Sequence, residues 1–199
     1  MDLNCPNCGG GVPHNLKYAK LVVCPQCQTS LFLEDDAVRN AGERSAIADD
    51  PSIFTIGLPF DYRGVAYVPH GRFRFDYGQG YWDEWWVGAD TGEALWVSVD
   101  EGDIVMQKPM ELKSAPPYER LSLGQTLKVG SDQLKVTEKN WSRCLGYEGE
   151  LPEVIAVGEE HGYVHLSGPN GLLLTVEYYS DKTQIFRGHW IDPFEVKTL

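Results

Sequence analysis

Four cysteines open the chain in two matched pairs. Cys5-Pro-Asn-Cys8 is followed, after fifteen residues, by Cys24-Pro-Gln-Cys27. Two CxxC pairs at this separation match the spacing of a four-cysteine zinc site. Two intervening residues let both sulfurs of a pair reach one ion at about 2.3 Å along two tetrahedral directions. The tight turn also aims backbone N–H groups at the thiolates. Gly9 suits such a knuckle, and Gln28 occupies the same place after the second pair. Cys5, Cys8, Cys24 and Cys27 are therefore read as the ligands of a structural Zn2+, with no open position for substrate. His14 lies between the pairs and is read as a loop residue, because four sulfurs already fill the shell. Cys144 stands alone, with no His or base placed to activate it.

The second concentration of chemistry is Tyr81-Trp82-Asp83-Glu84-Trp85-Trp86, which holds half of the six tryptophans. A hairpin turn at Asp90-Thr91, with Gly92 taking a positive φ, sets a register across two strands. Val87 then faces Leu95, and Trp85 faces Val97, which makes one continuous apolar core face. On the opposite face Trp86 meets Trp96, Glu84 meets Ser98, and Trp82 lies near Asp100. Three indoles beside carboxylates suit a cationic ligand, because an indole face attracts an ammonium by about 0.5–2 kcal/mol. Trp82, Glu84, Trp86, Trp96 and Asp100 are the candidate ligand-binding residues. The alternative for this face is a second core, covered by the rest of the chain. His161 and His165 would share a strand face but stand ~13 Å apart, too far to chelate one ion. No phosphate-binding glycine loop, nucleophile elbow or dinucleotide fingerprint occurs.

Charge narrows the partners. The formal net charge of -12 argues against nucleic acid, which requires clustered Lys and Arg. Seven acids and no base fall between Tyr81 and Asp103, and the same count holds between Cys144 and Asp181. Such stretches make either a solvated acidic surface or a field that attracts a cation or a basic protein. No apolar run approaches the ~18–20 residues of a membrane helix, so direct membrane insertion is not expected. The start, MDLNCPNC, lacks the regions of a signal peptide, and a cytoplasmic location is expected.

The elements that must hold these residues are strands. Residues 1–36 read as the zinc ribbon, and 37–52, small and polar, as a linker with one helical turn. Beyond it Gly and Pro recur and apolar residues alternate. Phe54-Thr55-Ile56-Gly57 is matched sixty-seven residues later by Leu121-Ser122-Leu123-Gly124. Trp85–Val97 is matched by Val164–Val176 at an offset of seventy-nine. The extra dozen residues fit an acidic, loop-like stretch from Arg143 to Glu153, and Pro116-Pro117 marks the seam. The expected fold is mainly β: an N-terminal four-cysteine zinc ribbon followed by two small antiparallel β-modules, residues 53–115 and 116–199. These form a tandem repeat packed into a barrel-like or sandwich-like body.

The CPNCG pair, the second CPxC pair, Trp82-Asp83-Glu84-Trp85 and the turn Asp90-Thr91-Gly92 together resemble the bacterial domain of unknown function 4178 family. The resemblance covers most of the chain and implies a ribbon followed by two domain copies. It implies no established activity. Members tend to be encoded near polyamine-synthesis enzymes, small membrane proteins and membrane-remodelling systems, a setting that implies an amine ligand for the Trp–acid face. The expected function is a non-enzymatic binding or adaptor protein presenting an acidic, Trp-rich surface to a basic protein partner or a polyamine-like cation. Two alternatives stay open: an accessory subunit or weak enzyme of amine metabolism, with Glu84 or Asp83 as general base, and a purely structural subunit of a complex.

Overall fold

A computed structural model describes residues 2–13, 15, 17–34, 37–45, 47, 52–112 and 114–199. Five strands precede residue 45: β1 (Asp2–Asn4), β2 (Gly11–Pro13), β3 (Leu21–Val23), β4 (Thr29–Glu34) and β5 (Ala37–Arg44). Five more are β6 (Phe60–Tyr62), β7 (Val65–Asp76), β8 (Tyr81–Ala89), β9 (Ala94–Asp100) and β10 (Asp103–Pro109). The last six are β11 (Thr126–Val129), β12 (Asp132–Leu151), β13 (Glu160–Ser167), β14 (Leu172–Tyr178), β15 (Thr183–Ile191) and β16 (Val196–Thr198). Among the described residues the only helical turns are three short 3-10 segments. The chain is mainly β, with an N-terminal cysteine cluster and one large, irregular sheet. Among the described residues no helix is long and apolar enough to cross a membrane.

The hairpin register expected around Gly92 is the observed one. Trp85 pairs with Val97, Trp86 with Trp96, Val87 with Leu95 and Glu84 with Ser98. Alternation made this legible, because a slip of one residue would turn the apolar set outward. The pairings run β7-β8-β9-β10-β15-β14-β13-β12, and β12 pairs back onto β7. This circuit of eight antiparallel strands leaves none of their main edges open. Closure depends on a close approach. Gly149 has φ +75, and a Cβ there would collide with the His70 carbonyl oxygen.

Side chains divide between the two faces of this circuit. Phe73, Phe75, Trp82, Trp86, Trp96, Tyr163, Tyr179 and Phe186 converge in one cluster on the inner side. Two further clusters lie on the other face. Phe54, Phe60, Trp85, Val87, Leu95 and Val97 form one; Leu121, Leu134, Val164, Leu166, Leu174 and Val176 form the other. The turns Thr55–Leu58 and Ser122–Gln125 are built alike. Gly57 (φ 78) donates to Pro69 O at 2.9 Å, and Gly124 (φ 81) donates to Val136 O at 2.8 Å.

Two stretches differ from expectation. Residues 37–44, expected in a linker with a helical turn, are strand β5, paired with β4 through two register shifts. Gly42 serves there because the strand lies close over its neighbour: a Cβ at that position would meet the Phe32 ring at 2.8 Å. The stretch after Arg143, expected as a loop, is strand as far as Leu151. Its acids hid the pattern because each answers a partner beyond the local sequence. Residues 143–149 pair with β7, and Glu150 and Leu151 pair with Val22 and Leu21 of β3. The ribbon is thereby spliced to the main sheet. Asn15 N donates to Glu150 Oε2 at 2.9 Å, and Ser45 Oγ donates to Tyr147 O at 2.8 Å.

Candidate functional site

The cysteine cluster is assembled by two knuckles of the same design. Gly9 N donates to Cys5 O at 2.8 Å, and Cys5 N donates to Gly10 O at 2.9 Å. In the second, Gln28 N donates to Cys24 O at 2.8 Å, and Cys24 N donates to Thr29 O at 3.0 Å. Gln28 takes φ 60 where Gly9 takes φ 73, so the second knuckle accepts a left-handed side-chain residue, at a cost of about 1–2 kcal/mol. The four Sγ atoms lie within 4.8 Å of one another, with Cys5–Cys27 at 3.6 Å and Cys8–Cys24 at 3.8 Å. A tetrahedron with metal–sulfur bonds of about 2.3 Å has edges of about 3.8 Å, so the donor set fits a tetrahedral thiophilic ion. Cys27 Sγ lies 3.1 Å from the Thr29 hydroxyl oxygen, and hydrogen bonding with the Thr29 side chain and backbone lowers the thiol to about 6. That favours the thiolate, the ligating form, at Cys27, whereas Cys8, hydrogen-bonded to the other three sulfurs, is raised to about 11. His14 lies outside the described residues.

The Trp–acid face is turned inward. Trp86 and Trp96 pack with ring centroids 5.0 Å apart and planes tilted by 57°, and are 9% and 5% exposed. They are core, covered because β10–β15 and β7–β12 pairings close the circuit over them. Trp82 is also buried, packed edge-on to Tyr163 at 5.0 Å and tilted on Phe75 at 5.2 Å. The five candidates are therefore not one open surface: Trp86 and Trp96 lie in the core, while Trp82, Glu84 and Asp100 line a cavity.

That cavity, of about 50 Å³, gathers residues from both halves of the chain. Trp82, Tyr163 and Trp190 supply aromatic walls, and Glu84, Asp100, Asp103 and Glu138 supply carboxyls. Glu84 sits at its base. It accepts from Trp82 Nε1 at 3.1 Å and from Ser98 Oγ at 2.6 Å, and burial pushes it up to about 7. Ser98 is held in turn by Gln107 Nε2 at 3.1 Å, and Gln107 Oε1 accepts from Thr175 at 3.1 Å. On the opposite wall Glu138 accepts from the Tyr163 hydroxyl at 2.5 Å and meets His165 Nδ1 at 2.8 Å. The His165 hydrogen bond holds Glu138 below its usual range. Asp100 is raised by burial and, further, by the like charges of Glu101, Glu138 and Asp103. Four carboxyls thus share a small space, and their mutual repulsion opposes full ionisation there.

Asp83 has a different environment. Arg74 Nε donates to Oδ1 at 2.7 Å, Arg74 donates again to Oδ2 at 3.0 Å, and Arg72 donates to Oδ2 at 2.9 Å. Both guanidiniums are buried, one over Trp85 at 4.9 Å and the other over Tyr81 at 4.1 Å. A carboxylate so held cannot serve as a general base. Sequence reasoning missed these arginines, although the Gly78-Gln79-Gly80 turn puts Arg74 opposite Asp83. Cys144 is buried and its thiol is pushed up to about 12 by burial. His161 is buried against Tyr179, and burial lowers it to about 4; among the described residues it shares no cluster of metal ligands with His165.

Residues 55–193 match the family described as Domain of unknown function (DUF4178). The chain belongs to the DUF4178 family. No curated protein and no solved structure matches it. In this DUF4178 protein the cysteine cluster lies N-terminal to the matched region, while the acid-lined cavity lies wholly inside it.

Proposed function

We propose that this protein is a non-enzymatic binding protein that holds the ammonium group of a polyamine-like cation in the acid-lined cavity. The carrying observation is the convergence there of three aromatic rings and four carboxyls. A volume of about 50 Å³ suits a hydrated or methylene-bearing ammonium head, with the rest of an amine chain extending outward. Ring faces contribute about 0.5–2 kcal/mol to such a cation, and the carboxylates add hydrogen bonds and charge. A lysine of a basic protein partner offers the same head group. Binding is favoured over catalysis because Glu84, the group titrating near 7, already takes hydrogen bonds from Trp82 and Ser98.

The ion that Cys5, Cys8, Cys24 and Cys27 would hold is read as a structural Zn2+, and the ribbon as a brace on the extension of β12. The matched turns and paired apolar clusters support a tandem repeat closed into a barrel. Zinc analysis is expected to give about one ion per chain.

Isothermal titration and tryptophan fluorescence with spermidine test the cavity. Saturable binding is expected, weakened about tenfold by Asp100→Asn and by Trp190→Ala, which alters a half-exposed ring at the mouth. A lysine-rich peptide that competes would extend the reading to a protein partner. No heat and no fluorescence change at millimolar spermidine, with the fold intact, would remove the cation reading.

A further inference from the structure

The two outer apolar clusters are finished differently. The hairpins beside them match: Tyr62 pairs with Val65, and Val129 pairs with Asp132, each across a two-residue turn. Strand β6 carries β16 on its outer edge, with Val196 opposite Tyr62, Lys197 opposite Asp61 and Thr198 opposite Phe60. Val196 packs into the first cluster. Among the described residues, β11 pairs with β12 alone. Beside it runs a groove of about 330 Å³, floored by Leu121, Leu166, Leu174 and Ile185 and bounded by Leu127 and Leu112.

We propose that β11 accepts an extended strand of a partner protein, as β6 accepts β16, and that this strand carries an acidic residue between two apolar ones. Strand addition of this kind draws affinity from main-chain hydrogen bonds and specificity from alternate side chains. In a two-residue hairpin the pair next to the turn exchanges its backbone bonds, so Val129 and Leu127 bond to β12. The N–H and C=O of Lys128 then point to the open edge.

Charge sets the central residue of the incoming strand. Lys128 stands where Asp61 stands on β6, and Asp61 is faced by Lys197. Opposite charges directly across a strand pair are favourable, so an acid is expected opposite Lys128. The surroundings agree: Lys108 to Lys139 holds six Lys or Arg and four Asp or Glu, in a chain of net charge -12. Apolar residues on either side would enter the groove as Val196 enters the first cluster. The chain's own segment after β10 is unsuited to the place, because Pro116 and Pro117 lack the N–H a strand must donate.

The probe is a fluorescein-labelled peptide copying residues 192–199 with Lys197→Glu, titrated with the full chain and read by anisotropy. Saturable binding is expected, about fivefold or more tighter than that of the same peptide with Lys197 retained. Lys128→Pro removes an N–H that the β12 ladder does not use, so the thermal melt is expected to hold while binding weakens about tenfold or more. Lys128→Glu is expected to reverse the preference between the two peptides. Absence of saturable binding at millimolar protein, or equal binding by Lys128→Pro, would overturn the proposal. Two other results would also overturn it: anilinonaphthalene sulfonate filling the groove where no peptide binds, which assigns it to an apolar small molecule, or a dimer abolished by Lys128→Pro, which assigns it to a second copy.

Discussion

Asp83 and Glu84 are adjacent in sequence and opposite in fate. Strand alternation turns Asp83 to the outer face of β8, where two arginines from β7 clasp it. Glu84 points inward to the neutral donors Trp82 and Ser98, with no hydrogen-bonded cation among the described residues, and burial pushes it up to about 7. Both are almost fully buried, so depth does not distinguish them. What differs is the partner: a paired charge stays a charge at depth, while an unpaired one moves toward its neutral form. Asp83 is therefore a structural anion, and Glu84 is the group able to respond to pH or to a cation at the cavity mouth.

Removing Asp83 is the harshest way to break the contrast. Asp83→Ala would take from the buried Arg74 the carboxylate it grips with two donors, and would take from Arg72 one of its two acids, Glu148 remaining at 2.7 Å. Stripping one partner from a buried pair costs about 3–5 kcal/mol, because the remaining charge stays desolvated. Urea denaturation is expected to show a loss of that size. A loss below about 1 kcal/mol would mean that the guanidiniums reach water and that the clasp is weak.

Glu84→Gln is expected to act in the other direction. The folded value of about 7 lies above the ordinary 4.5, so folding disfavours the charged form. The contribution of Glu84 is complete below about pH 4.5 and is lost as pH rises through about 7. A permanently neutral glutamine keeps an acceptor for Trp82 and Ser98 and avoids that loss. The variant is expected to match the wild type at pH 4 and exceed it at pH 8 by up to about 3 kcal/mol. Parallel melts at the two pH values check this, and equal effects at both would sink the assignment.

How much of this contrast was legible beforehand follows from the range of each interaction. The face assignment of Asp83, Glu84, Trp85 and Trp86 was legible, since alternation and one glycine turn fix a hairpin register locally. The cysteine cluster was legible for the same reason, each pair being its own turn. The cover over Trp86 and Trp96 was not, because it comes from β10–β15 and β7–β12, elements far apart in sequence. The cavity wall of Glu138, Tyr163, His165 and Trp190 was hidden by the same distance. Arg72 and Arg74 are a middle case. Their alternation around Phe73, shortly before a glycine turn, carries the signal, and only the register across that turn brings Arg74 opposite Asp83.

Arg74→Lys is a gentler test of the clasp. It keeps the charge and removes the fork that donates to both Asp83 oxygens. Lysine can satisfy one of them as a point charge, so a loss of about 1–2 kcal/mol is expected, well short of Asp83→Ala. If the two variants destabilise equally in urea, the planar geometry matters more than the charge.

Tyr81→Leu should give the smallest effect and isolates the last layer of the outer face. The Tyr81 ring lies 4.1 Å below the Arg74 guanidinium and is 41% exposed, so it shields one side of the pair from water. Leucine keeps most of the apolar cover and removes the ring's negative face, and a loss of about 0.5–1 kcal/mol is expected from a cation–π contact whose ring is half open to solvent. The loss should shrink further in the Arg74→Lys background, because the ring acts through that guanidinium. Additive losses in the double variant would show that Tyr81 stabilises the strand by packing alone, leaving the aromatic rings outside the device that keeps Asp83 charged.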